Sequence, residues 1–142
     1  ERLRWAQMDK PLRAAGSGSG ARTPDYPRTA SGSTLAAWAA TWGGLRSLTT
    51  LPANADIPAA GEAQVPLEMY LRGKGLNPLA DKLHQAAQKV DASMAQVQKA
   101  GVKGKPAIQQ AARDLAALKF LAESEVAPAL QVSIGFSDAD GD

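Results

Sequence analysis

The sequence predicts an all-α fold, an up-down helical bundle of about four helices with a long N-terminal loop and an extended C-terminal arm. Three observations lead there. Alanine is abundant while aromatic residues make up only 5% of the chain, a composition that favours helix over sheet. Apolar residues recur every three or four positions in two long stretches, with prolines and glycines at their ends. A length of 142 residues gives room for a single domain, 1–142, that buries a core without disulfides.

The elements follow in chain order. Residues 1–10, ERLRWAQMDK, put Leu3, Ala6 and Lys10 on one stripe with Trp5 and Met8 beside it, a helix tail that stops or kinks before Pro11. Residues 14–32, AAGSGSGARTPDYPRTASG, have the Gly/Ser/Pro content of a flexible loop. Ser33 or Thr34 then caps an amphipathic helix carrying Leu35, Trp38, Trp42, Leu45 and Leu48 or Thr49. Its two tryptophans, one turn apart, read as core anchors. Gly43 and Gly44 inside it predict a close approach by a neighbour or a local bend.

After a loop at 51–61, a short helix spans Pro66 to Arg72 with Gly73 as its stop. Asn77-Pro78 opens the clearest helix, with Leu79, Leu83, Val90, Met94 and Val97 repeating up to Gly101. Pro106 opens the next, with Ile108, Ala112, Leu115 and Leu118, ending near Val126 before Pro128. A connection this short makes the pair an antiparallel hairpin. Beyond Pro128 the alternation of Val132, Ile134 and Phe136 describes an extended arm, 128–142, that packs on the bundle or on a partner.

Composition also excludes function classes. The formal charge is +2 and no dense Lys/Arg cluster exists, which argues against a nucleic-acid partner. With no cysteine and one histidine, His84, the chain cannot build thiolate or multi-histidine metal sites. No apolar run approaches the roughly 20 residues of a transmembrane segment. His84 falls off the apolar stripe and reads as an exposed histidine, with Asp81 the one carboxylate in helical reach. The ending SIGFSDADGD spaces Asp138, Asp140 and Asp142 like cation ligands, but its glycine falls at the fourth position of such a loop instead of the sixth. On residues alone, this is a helical domain without a complete active site.

Two stretches carry a family resemblance. EVAPALQVSIGFSDADGD, from Glu125 to Asp142, is similar to the end of the imelysin family, which closes on a Gly-Phe-Asn-x-x-Asp-Gly-Asp-like sequence. Gly135, Phe136, Asp140, Gly141 and Asp142 match, and Ser137 stands where the family has Asn. YPRTASGSTLAAWAATWGGLRSL resembles the family's Arg-Ser-containing loop and the helix it feeds, and LRWAQMDKPL fits the segment before it. The resemblance runs over nearly the whole chain, and its C-terminal motif is the specific part.

It implies an exported protein of the periplasm or cell envelope, built from two related helical bundles and linked to iron or other metal acquisition. The family's Gly-x-His-x-x-Glu signature belongs to the N-terminal half. Here His84 in KLHQAAQ lacks both the preceding glycine and a glutamate at 87. The expectation is therefore a C-terminal half, beginning without a methionine because it is a processed product or a fragment. Its partner would be the N-terminal half, and iron or zinc would be bound mainly by that half. Arg28 is the candidate ligand-binding residue, and Asp140 and Asp142 the candidate metal contacts. The family name implies a metallopeptidase with catalytic residues in the other half as the alternative, and a non-catalytic structural or interaction module as the blander one.

Overall fold

The structure, a computed structural model, describes residues 1–51, 61 and 64–132. Asp140, Asp142 and the stretch 133–142 lie outside the described residues. Among the described residues there is no strand, and the chain is an all-α helical bundle as predicted. A π-helical turn, Trp5–Asp9, runs into α1, Lys10–Ala14. After the loop come α2, Thr34–Thr49, and α3, Leu67–Gly73. The long helices α4, Asn77–Ala100, and α5, Lys105–Leu121, form the hairpin. A second π turn, Ala122–Val126, leads into the short α6, Ala127–Ala129.

The hairpin is the platform. Val90, Met94 and Val97 of α4 and Ile108, Ala112 and Leu115 of α5 bury in one cluster. Trp38 and Trp42 of α2 enter it from one side, Leu3 and Met8 of the N-terminal turn from another. Trp38 is fully buried and meets Tyr26 edge-on at 5.1 Å, so both tryptophans are the core anchors their spacing suggests. A smaller cluster joins Leu71 of α3, Ala80 and Leu83 of α4 and Val126. Leu118 touches both clusters, which makes the two cores continuous.

Several expectations need correction. The N-terminal helix does not stop before Pro11, and the last helix does not stop before Pro128. In both places a π turn precedes the proline by two residues. Lys10 N–H bonds Trp5 O, and Ala127 N–H bonds Ala122 O, each five residues back. The change from five-back to four-back bonding falls at the residue that has no N–H, so the helix passes it. Residues Ala127–Ala129, where the extended arm was expected to begin at 128, are helical.

Helix ends also differ. Gly73 is inside α3, and the stop is Gly75 at φ +77°. Leu76 N–H bonds Leu71 O while Gly75 N–H bonds Arg72 O, the paired bonds of a Schellman cap, with Leu76 packing back on the Leu71 cluster. The same pair closes α6: Val132 N–H bonds Ala127 O and Gln131 N–H bonds Pro128 O. There the left-handed position, φ +56°, is held by Gln131.

On α2, a Cβ at Gly43 or Gly44 would meet no atom within 4 Å, so neither serves a close approach. Leu45 and Leu48 are 42% and 50% exposed; the apolar stripe outruns the part of α2 that the hairpin covers. Leu45 instead borders an apolar groove of about 190 Å³ with Leu67, Leu83 and Leu118. The 14–32 segment is a loop, but it is tied down: Arg22 N–H bonds Ala15 O at 2.7 Å, Gly18–Gly20 form a 3₁₀ turn, and Tyr26 is buried.

Two substitutions test this reading. At Gly104, in the hairpin loop, an added Cβ would lie 2.4 Å from the Cβ of Ala100, a backbone-anchored atom that cannot swing aside. Gly104→Ala is expected to lower stability by about 2 kcal/mol in chemical denaturation. Gln131→Gly, which relieves a left-handed side chain at a position glycine favours, should raise it by about 1 kcal/mol.

Candidate functional site

Three polar clusters interrupt the apolar bundle, the first set within one loop and the other two joining separate helices. The first surrounds Arg28. This residue sits at φ +67°, a left-handed conformation that a side chain adopts at a penalty of about 1–2 kcal/mol. Hydroxyl groups on either side hold it there. Thr29 Oγ1 donates to Tyr26 O at 2.6 Å, Thr34 Oγ1 to Pro27 O at 2.9 Å and Ser31 Oγ to Arg28 O at 3.0 Å. The Tyr26 ring, clamped on Trp38, anchors the turn to the core. Burial pushes its phenol up to about 12, and its hydroxyl is buried with no hydrogen-bond partner. Arg28 itself is exposed and stands on the shared wall of two adjoining clefts of about 540 and 650 Å³, with Ala6 and Pro27 common to both.

The second cluster locks α2 to α4. Trp42 Nε1 donates to Asp91 Oδ1 at 2.8 Å, and Arg46 Nε donates to Asp91 Oδ2 at 2.8 Å. Arg46 Nη1 also reaches Thr50 O at 3.2 Å, satisfying a carbonyl beyond the end of α2. One carboxylate thus serves an indole and a guanidinium one turn apart, an arrangement that suits positioning.

The third joins α3 to α4. Glu68 is only 7% exposed, and its oxygens are divided between two partners. Oε2 lies 2.9 Å from His84 Nδ1, and Oε1 accepts from Arg72 Nη2 at 2.8 Å. Arg72 Nη2 bridges onward to Asp81 Oδ1 at 2.7 Å, and Gln88 Nε2 lies 3.1 Å from His84 Nε2. The two ring nitrogens of His84 thus stand between the Glu68 carboxylate and the Gln88 side-chain amide. Burial raises the Glu68 carboxyl, but the hydrogen bonds and charges of His84 and Arg72 together outweigh it and hold the group below its ordinary value.

His84 was expected to be exposed, with Asp81 as its neighbour. It is half-buried, and its carboxylate is Glu68 from the preceding helix, because α3 packs across the face of α4 that the helical count left open. Asp81 is spent on Arg72. The sequence signal for Glu68 was its place between Leu67 and Leu71, an acid on the buried side of a short helix with Arg72 one turn on. Among the described residues no three of His, Cys, Asp and Glu converge as metal ligands. The structure brings Arg28 and His84 into separate regions. Comparison with protein-family models, with curated proteins and with solved structures finds no match.

The Glu68 carboxyl makes stability depend on pH. A carboxyl lowered in the folded state contributes stability above its unfolded value and loses it as pH falls through the folded one. Glu68→Gln should cost about 2 kcal/mol at neutral pH, and its deficit relative to the native chain should shrink once pH drops below the ordinary carboxylate range. A deficit constant with pH in urea melts would contradict the ion-pair account.

Proposed function

We propose that this chain is one bundle of an imelysin-type protein of the bacterial periplasm or envelope. Its task is to support, from the side, a metal or metal-associated ligand held against a second bundle. The described residues do not supply a metal cage of their own: the one histidine has its Nδ1 on Glu68, and both Glu68 oxygens are taken. The metal's ligands are therefore assigned mainly to the second bundle, the one that carries the Gly-x-His-x-x-Glu signature in the family.

The observation that supports this reading is Arg28. An exposed arginine on a left-handed backbone, in a turn whose carbonyls are braced by three side-chain hydroxyls, is costly to keep for stability alone. Strain of this kind collects where a side chain must be aimed at a ligand. It also falls in the loop whose sequence resembles the family's Arg-Ser segment, with clefts on both sides to admit a partner group. Asp140 and Asp142, in the Asp-Gly-Asp ending, are proposed to act with it across the interface.

The test is a co-purified complex of this chain with a bundle bearing the Gly-x-His-x-x-Glu signature, assayed for iron and zinc by elemental analysis. Arg28→Gly should make the chain more stable by about 1 kcal/mol yet lower the metal retained. The double substitution Asp140→Ala, Asp142→Ala should lower it as well. Unchanged metal content in both would overturn the proposal. A chelator-sensitive peptidase assay on the same complex separates binding from hydrolysis.

A further inference from the structure

A charged cleft lies away from Arg28, between the N-terminal helical segment and α5. It measures about 640 Å³ and is lined by Arg4, Arg13 and Arg113, with Asp9, Ser17 and Gln109. The floor is apolar, formed by Leu12, Ala112 and Ala116. Its three guanidiniums are not equivalent. Arg4 is neutralised, with Nη1 on Asp9 at 2.8 Å and its other nitrogens on Glu1. Arg13 has no carboxylate partner among the described residues; its guanidinium lies 5.3 Å above the Trp5 ring. Arg113 has none either, and donates instead to Gln110 Oε1 at 2.7 Å. The nearest acid in sequence, Asp114, accepts from Gln110.

We infer that this cleft binds a small organic polyanion, with one oxyanion group on Arg13 and another on Arg113. The two charges come from different helices and face one cavity, so they repel until an anion lies between them. Stacking on Trp5 restrains the plane of the Arg13 guanidinium and leaves its N–H edge free for a fork-like contact. Planar forks match carboxylate and phosphate oxygens two at a time. The Ser17 hydroxyl and the Gln109 amide supply further donors at the rim. Asp9, the one acid among the lining residues of the cleft, is paired with Arg4. The volume exceeds what a bare inorganic ion fills, and the apolar floor suits a short carbon skeleton. Arg4 stays with its own acids.

The shared chemistry is two or more oxyanion groups on a compact body, and the probes distinguish an organic polyanion from a bare inorganic ion and from a single carboxylate. Isothermal titration calorimetry of the full chain at low salt would compare tricarballylate, succinate, inorganic phosphate and, as a single-charge control, acetate. Tricarballylate or succinate is expected to bind above acetate, and binding should weaken with added salt. Arg13→Gln and Arg113→Gln should each weaken it about tenfold, while Arg22→Gln, an exposed arginine outside the cleft, should leave it unchanged. Arg113→Lys keeps the charge without the fork and should fall between, which separates shaped recognition from attraction alone. Thermal melts of each variant confirm the fold. No saturable binding, equal loss in Arg22→Gln, or binding by inorganic phosphate alone would overturn the inference. It does not rest on the imelysin reading, since metal retention by the complex and anion binding by this chain are separate readouts.

Discussion

Everything in this molecule leans on the α4–α5 hairpin. Two long helices meet along a seam that mixes Val90, Met94, Val97, Ile108 and Leu115 with the small residues Ala87, Ala111 and Ala112, and small side chains let helix axes come close enough to exclude water. The turn between them depends on a glycine whose Cβ position is already occupied by Ala100. With that platform in place, each other element needs only one apolar edge to dock. Trp38 and Trp42 bring α2, Leu71 brings α3, and Leu3 and Met8 bring the N-terminal turn.

Polar contacts then fix how the docked elements sit. Asp91 takes the Trp42 indole and the Arg46 guanidinium, so α2 is held in both position and rotation on α4. Glu68 plays the reverse part, an acid from α3 pinned by His84 of α4. The buried carboxylate of Glu68 has both oxygens satisfied, the condition under which a buried charge is tolerated, while Asp91 is partly exposed. Among the described residues the Tyr26 hydroxyl and Thr50 Oγ1 are buried without a partner. Tyr26 belongs to the same turn that strains Arg28, so two unfavourable features are concentrated in one short loop.

The charges divide the surface by role. Arg46 and Arg72 are consumed by acids and serve architecture. Among the described residues Arg13, Arg28 and Arg113 have no such acid, and they border clefts. The single histidine, by contrast, is engaged on both ring nitrogens, by Glu68 and by Gln88.

The helical class, the two long stripes and the tryptophan anchors were legible in the sequence because period and composition act locally. The left-handed backbone at Arg28 was not legible, because the residue is not one that favours that conformation. What local rules misplaced were the ends: prolines at 11 and 128 looked like stops, and only the π turns ahead of them let the helices continue. Gly75 rather than Gly73 caps α3, since the Schellman bonds decide and both glycines look alike in one dimension. His84 and the exposed end of α2 depended on where α3 crosses α4 and how far the hairpin reaches. The sequence by itself determined which residues are helical and which face is apolar. The tertiary structure decided which acid meets His84, which leucines stay uncovered and which arginines share a cleft, because those pairings join residues distant in the chain that only packing brings together.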